Sequence, residues 1–400
     1  MLGTELWPAV IMSFLPSFAL LQLATLIAML VHQGRLLPVA VARTNLTAGD
    51  TLMPPDYITS PSGGFAFGFR ATTPTKFLLA TWFRFGDDNS SPESVVWFAK
   101  ASSMGSTPNA TARSVLSIPA DGQLTLTDGS VELWKAATPS MKRGFVLVLR
   151  DSGNVQFLGD GGVLWESFGF PTPTDTLLPG QSLHGFLFSK RADTEFTTGR
   201  FSLAAQNDGN VVLCVDLFTG DIFENAYWDT GTNGPKGNTT ITFDDLGQLS
   251  YTLYDGTVHS LILPVPAGKN YFQFVRMDPD GIVRTYVRPR NGDGGKNTTS
   301  WTVSGTLPDE GGCKMKTTRM QGMCGPGSYC VETKERLNCL CPSGYTYIDT
   351  QHSDSGCTPR LEQQSCGEEN IPDKFSLVEL PNTTWEVSIY YKKFPSISEE

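Results

Sequence analysis

The chain has 400 residues, with 40 Gly, 26 Pro, 18% charged residues and a formal net charge of −10. That surplus of turn formers over charge excludes coiled coils and helical bundles, and 24 Phe, 11 Tyr and 8 Trp exclude a wholly disordered chain. The acidic balance excludes a nucleic-acid partner, because gripping a phosphate backbone needs clustered Lys and Arg.

Residues 7–31 form an apolar run without Lys or Arg, followed by Ala40-Val41-Ala42, a small-x-small pattern suited to signal peptidase. Residues 1–42 are therefore read as a secretion signal. Glu5 and no basic residue precede the run, which at about 25 residues is long enough to cross a bilayer, so an uncleaved signal anchor is the other reading. Export has independent support. Six Asn-x-Ser/Thr sequons, at Asn45, Asn89, Asn109, Asn238, Asn297 and Asn382, read as glycosylation sites. Seven of the eight Cys fall between Cys313 and Cys366, the density of a disulfide-stapled module in an oxidising compartment.

From about residue 44 to 288, short alternating runs flank Asp-Gly or Asp-x-Gly turns, the local signature of β-hairpins. The turns carry Asp121, Asp151, Asp208, Asp245 and Asp280, spaced 30, 57, 37 and 35 residues apart. That is an internal repeat with one long interval. Alternate apolar residues, such as Leu116, Ile118, Leu124 and Leu126, give each strand one buried face, so the hairpins must pack together into an all-β fold. Trp97, Trp134 and Trp165 follow strands, Trp228 occupies a similar place in the second half, and core packing is expected of them. No segment beyond residue 43 carries a helical period. Three prolines in residues 167–181 forbid a central strand there and divide two β domains, placed at 44–168 and 169–296. The Gly-rich residues 290–296 read as a second break, before a cysteine module at 303–358.

Several separated segments carry a resemblance. Phe65-Ala66-Phe67-Gly68-Phe69, Asp151-Ser152-Gly153-Asn154-Val155, Leu164-Trp165-Glu166-Ser167-Phe168 and Pro173-Thr174-Asp175-Thr176-Leu177-Leu178-Pro179-Gly180-Gln181 resemble plant bulb-type lectin domains. They look most like the ectodomains of plant G-type lectin receptor-like serine/threonine kinases. The resemblance implies two tandem lectin β-prisms, each of three four-stranded sheets, then an EGF-like module. Residues 359–400, with Leu380-Pro381-Asn382-Thr383-Thr384-Trp385, resemble the opening of the PAN-like domain that follows in these receptors. The chain would then stop before the rest of that domain, the transmembrane helix and the kinase.

Members of this family that bind mannose use Gln-x-Asp-x-Asn-x-Val-x-Tyr on one hairpin. Alternate residues share a strand face, so a carboxylate and two amides meet sugar hydroxyls while the apolar members cover the C–H face. In the third unit Gln206, Asp208, Asn210 and Val212 match and Cys214 replaces Tyr, making these four the candidate carbohydrate site. The second unit aligns Leu149, Asp151, Gly153, Val155 and Phe157, and the fourth Phe243, Asp245, Gly247, Leu249 and Tyr251. The first aligns Pro119, Asp121, Gln123 and Thr125. In those units the Asp and Gly read as turn chemistry.

Cys313, Cys324, Cys330, Cys339, Cys341 and Cys357 have gaps of 10, 5, 8, 1 and 15 residues, a spacing that looks EGF-like. Six cysteines alone leave their pairing open. The resemblance implies Cys313–Cys330, Cys324–Cys339 and Cys341–Cys357. Cys214 and Cys366 are left over. No Gly-x-Ser-x-Gly, His-Glu-x-x-His, His-Arg-Asp or Asp-Phe-Gly occurs, residues 292–296 read as a linker, and His32, His184, His259 and His352 are scattered surface or packing residues. No enzyme activity, metal or cofactor is expected of this chain. The expected partner is a glycan or glycoprotein of mannose type met at the cell surface, with receptor homo- or hetero-oligomers, and membrane association through a signal anchor or through C-terminal parts. The other reading is a scaffold for receptor pairing that binds no sugar.

Overall fold

The computed structural model describes residues 43–85, 94–101, 106–139, 142–169, 174–216, 225–234, 237, 239–264, 270–290, 300–316 and 322–360. The signal segment, the PAN-like start, Cys366 and the sequons at Asn89, Asn238, Asn297 and Asn382 lie outside them. Among the described residues there is no α-helix, and short 3₁₀ turns stand at Gly312–Lys314 and Ser353–Ser355.

Three short strands open the first lectin domain: β1 (Asn45–Thr47), β2 (Thr51–Leu52) and β3 (Tyr57–Thr59). Three three-stranded meanders follow. They are β4 (Phe65–Ala71), β5 (Phe77–Phe83) and β6 (Val95–Phe98), then β7 (Ser114–Ser117), β8 (Thr125–Asp128) and β9 (Val131–Lys135), then β10 (Gly144–Leu149), β11 (Val155–Gly159) and β12 (Gly162–Glu166). Each opening strand adds itself to one meander, giving sheets β3-β4-β5-β6, β2-β7-β8-β9 and β1-β10-β11-β12. All pairings are antiparallel, as with Leu46 opposite Leu147 and Leu52 opposite Leu116. Three four-stranded sheets close around one core in which Phe67, Leu116, Leu126, Leu147 and Phe157 are fully buried. Trp97, Trp134 and Trp165, from the last strand of each sheet, meet edge to face at 5.6–6.2 Å.

The second domain repeats the plan. Opening strands β13 (Thr176–Leu177), β14 (Gln181–Leu183) and β15 (Phe186–Ala192) precede β16 (Glu195–Ala205), β17 (Val211–Val215) and β18 (Ala226–Asp229), then β19 (Thr240–Phe243), β20 (Leu249–Thr252) and β21 (Val258–Ile262), then β22 (Tyr271–Met277), β23 (Val283–Pro289) and β24 (Thr302–Leu307). The sheets are β15-β16-β17-β18, β14-β19-β20-β21 and β13-β22-β23-β24. The fold is therefore two tandem bulb-type lectin β-prisms. Strand β24 corrects one boundary. The sequence reading ends the domain at 296 and starts the cysteine module at 303, yet Thr302–Leu307 pairs with β23, which would otherwise bare a hydrogen-bonding edge.

The cysteine module contains β25 (Tyr329–Glu332), β26 (Leu337–Leu340), β27 (Tyr345–Tyr347) and β28 (Cys357–Pro359), in two hairpins. Three bridges staple it, Cys313–Cys330, Cys324–Cys339 and Cys341–Cys357. A module this small cannot bury enough apolar surface alone, and it borrows from its neighbour: Met323, Leu337 and Cys339 join the core of the second prism.

The two prisms are fused through both faces of the β4–β5 sheet. One face lines the first core. The other, with Ala66, Leu78, Ala80, Trp82 and Phe98, packs against Phe196 of the second prism. Beside it Phe83 and Phe85 meet Phe272, Phe274 and Trp301 at ring separations of 5.0–6.1 Å. Arg276 of β22 reaches across, its Nη2 donating to the carbonyl of Val95 at 2.6 Å. Asp175 of the proline-rich junction, 1% exposed, holds this arginine at 3.5 Å and Lys190 at 3.8 Å.

Candidate functional site

Five hairpin turns close in the same way, and that geometry sets their alignment. In each, a glycine N–H donates to the carbonyl three residues earlier: Gly122 to Pro119, Gly153 to Arg150, Gly209 to Gln206, Gly247 to Asp244 and Gly281 to Asp278. These glycines have φ between 75° and 93°, the left-handed region that a Cβ penalises. The residues equivalent to Gln206 are thus Pro119, Arg150, Asp244 and Asp278. The alignment of the second and fourth units is corrected by one residue. Leu149, Val155 and Phe157, and Phe243, Leu249 and Tyr251, face the cores and are at most 4% exposed, because a one-residue slip moves a strand's side chains to the opposite face.

At the third turn, Asp208 Oδ1 accepts from the Asn210 amide at 3.0 Å, so this carboxylate caps its own turn. Asp121 and Asp280 do the same toward Gln123 and Ile282. Gln206 and Asp208 border an open cavity of about 600 Å³, which His184, Phe186, Asn207 and Thr239 also line. Among the described residues the Gln206 side-chain amide and Asp208 Oδ2 have no hydrogen-bond partner. Both remain available to a ligand.

The other half of the motif is differently employed. Asn210 Oδ1 accepts from Thr230 Oγ1 at 2.8 Å and from the Thr232 amide at 3.3 Å, while Thr230 Oγ1 accepts from the Val211 amide. Asn154, Ser167 and Val155 make the same lock in the first prism, where no sugar motif stands. Val212 is 3% exposed and Cys214 fully buried, packed with Ala204 against Phe186 and Ala226. Burial pushes the Cys214 thiol up to about 12. The structure therefore brings Gln206 and Asp208 to the cavity and leaves Asn210 and Val212 out of its lining.

Sequence reasoning missed His184, Phe186 and Thr239, which come from the end of β14, the start of β15 and the approach to β19. The fifth hairpin, read from the sequence around Asp280, had not been aligned with the motif. There the motif positions hold Asp278, Asp280, Ile282, Arg284 and Tyr286, an alternation visible in the sequence once the turn is in register. Arg284, 1% exposed, pairs with Asp278 at 2.8 Å and Asp280 at 2.7 Å, and the Tyr286 hydroxyl donates to Asp278 at 2.7 Å. Burial, and next the Asp280 carboxylate, push the Asp278 carboxyl up. The cysteine module seats here: Leu337 N donates to Asp280 Oδ2 and Arg284 Nε to the Lys334 carbonyl. The equivalent of a sugar strand has become a docking seat.

Residues 94–197 match the family profile described as D-mannose binding lectin, a stretch that ends before Gln206. A rice protein (Oryza sativa subsp. indica), G-type lectin S-receptor-like serine/threonine-protein kinase LECRK3, is 33% identical over 89% of this chain and 45% of its own length. The chain belongs to the G-type lectins. The similarly named RLK1 of Arabidopsis thaliana is 30% identical, over 89% of this G-type lectin and 43% of its own length. The chain thus spans less than half the length of these relatives, and the aligned part carries the lectin domains. Among solved structures, the mannose-specific agglutinin of snowdrop (Galanthus nivalis) is 19% identical over 31% of this lectin and 98% of its own chain, with a TM-score of 0.23. The two-domain agglutinin of Scilla campanulata is 15% identical over 61% and 96%, with a TM-score of 0.22. At those scores the prism assignment rests on the sheets themselves.

Proposed function

We propose that this G-type lectin recognises a mannose-type glycan or glycoprotein outside the cell through the cavity beside the β16–β17 turn. One observation carries the reading: Gln206 and the free oxygen of Asp208 stand uncommitted at the rim of an open cavity. The amide can donate and accept, the carboxylate oxygen accepts, and together they suit neighbouring sugar hydroxyls. Export through residues 1–42, glycosylation of the sequons and attachment to a membrane through an anchor or further domains complete the proposal, by analogy with the receptor-like kinases it resembles. A second reading, a scaffold for receptor pairing, is favoured by the structural use of Asn210 and the burial of Val212.

A glycan array on the secreted chain, followed by calorimetry, separates the two. Asp208→Asn retains Oδ1 for the turn and neutralises Oδ2, so affinity should fall about 10- to 150-fold, equivalent to about 1.5–3 kcal/mol, with little change in thermal stability. Unchanged affinity in both Asp208→Asn and Gln206→Ala overturns the site. No glycan bound by the native chain leaves the scaffold.

A further inference from the structure

Resting on the export and glycosylation proposed above, we infer that the N-linked glycan of Asn45 lies across the outer face of the sheet β1-β10-β11-β12 and covers its apolar side chains. In β1 Leu46 is buried in the first core, so Asn45 and Thr47 point outward. The register continues them into two rows: Asn45, Val148, Gln156 and Glu166, then Thr47, Val146, Leu158 and Val163. Val163 is 48% exposed, Val146, Val148 and Leu158 are partly exposed, and none of the four joins a hydrophobic cluster among the described residues. A contiguous apolar face of this kind marks a surface that is covered in the working molecule.

The other sheets show what such a face requires. Two with apolar outer faces are covered by protein: Ala66, Leu78 and Trp82 meet Phe196, and Phe274 and Arg276 of β22 meet the first prism. Two others turn hydroxyls outward, Thr51, Ser117 and Thr125 on one and Ser182, Thr242, Ser250 and Ser260 on the other. The β10–β11 face is apolar like the first pair and meets water like the second. Among the described strands, β1 alone contains a sequon asparagine. Adjacent strands lie about 4.8 Å apart, so β10 stands one spacing from Asn45 and β11 roughly 10 Å away, within the reach of a two-sugar core. That core begins with N-acetylglucosamine, whose acetyl methyl and ring C–H face are apolar. Laid on this sheet they take the valines out of water, while the sugar hydroxyls stay in it. Gln156, accepting from Arg150 Nε at 2.8 Å and donating to Glu166 at 2.9 Å, fixes a polar border along the first row.

The test uses the full secreted chain. Glycopeptide mass should show sugar on Asn45, and methyl-labelled protein should show nuclear Overhauser contacts between the first N-acetylglucosamine and Val146 or Val148. Asn45→Gln should raise the fluorescence of a hydrophobic dye about twofold or more, whereas Asn109→Gln, at a sequon outside this face, should leave it unchanged. With Val148→Thr and Leu158→Thr already in place, Asn45→Gln should add no dye response, which separates lost cover from lost folding. Sugar on Asn109 with none on Asn45 overturns the inference while export stands. No sugar at any sequon overturns glycosylation and the inference with it. An occupied Asn45 with neither the contacts nor the dye response overturns the cover alone. Self-association of the native glycoprotein that Val148→Thr abolishes also overturns it, because the face is then an interface between copies.

Discussion

Replacing Asp175 by Ala tests how the two prisms are joined. Its side chain is 2% exposed, and it faces Lys190 (3%) and Arg276 (4%), both cationic and both buried. Removing the carboxylate takes from two buried cations the acid that both of them meet, and losing one partner of a buried charge group costs about 3–5 kcal/mol. With an m-value of about 2 kcal/mol/M, the urea midpoint should fall by roughly 1.5 to 2.5 M. The loss should also depend on pH. Burial, and next Arg276, lower the Lys190 pKa, opposed by Asp175. Without Asp175 the folded chain sheds that proton more readily than the unfolded chain, so stability rises with pH and the deficit shrinks between neutral pH and about pH 10. Adding Lys190→Met should restore part of the loss at neutral pH. A midpoint change under roughly 0.5 M, or a loss that stays constant with pH, would show that the aromatic contacts alone hold the prisms together.

Cys214→Tyr, which would complete the mannose motif, should destabilise the second prism by about 1–3 kcal/mol, because position 214 is fully buried against Phe186 and Ala226. A gain in sugar affinity without loss of thermal stability would contradict that packing, and the native thiol should resist alkylation until urea unfolds the chain. The ring nitrogens of His352 lie 2.7 Å from Asp349 Oδ2 and 3.3 Å from Glu195 Oε2, carboxylates that accept from the protonated ring, and the Asp349 bond foremost raises its pKa. Its contribution is therefore full below about pH 6.5 and lost as pH rises through the raised folded value, and since the pair is partly solvated it amounts to under about 1 kcal/mol. Limited proteolysis should find the seam between module and prism tighter at about pH 5.5 than at about pH 8, and His352→Gln should cancel the difference. Asn45 and Asn109 are exposed, so in a secretory host each Asn→Gln variant should lose one glycan by mass; unmodified native protein would refute export.

Five of the six inner hairpins were legible because a surface-facing strand alternates and its turn needs Asp and Gly. The sixth, β4–β5, was silent. Both its faces are buried, so Phe65–Ala71 and Phe77–Phe83 read as continuous apolar runs, and its turn closes through Thr73 Oγ1 rather than through a glycine. The one-residue slips at Asp151 and Asp245 arose because aspartate serves more than one turn position. Asp151 instead accepts from the Ser62 amide and hydroxyl, 89 residues away. The candidate site was half legible: Gln206 and Asp208 announce themselves, whereas His184, Phe186 and Thr239 are gathered by sheet pairing. The Arg284 cluster gains its meaning from residues 334–337, which no local pattern connects to it.

The order in which strands find partners has a consequence for synthesis. Strand β3 joins the meander that immediately follows it, β2 must wait for the next, and β1 waits for the last, with Asn45 pairing to Val148, so the opening strands are claimed in reverse order of their emergence from the ribosome. The second prism obeys the same last-in, first-out rule, β13 being claimed by β22. A nascent chain halted before β10 therefore carries β1 as an unclaimed hydrogen-bonding edge, and one halted before β7 carries β1 and β2, open to strands of other chains. Each prism is sealed by its final hairpin, and a stop codon or proteolytic nick ahead of that hairpin frees the domain's first strand as well as its last.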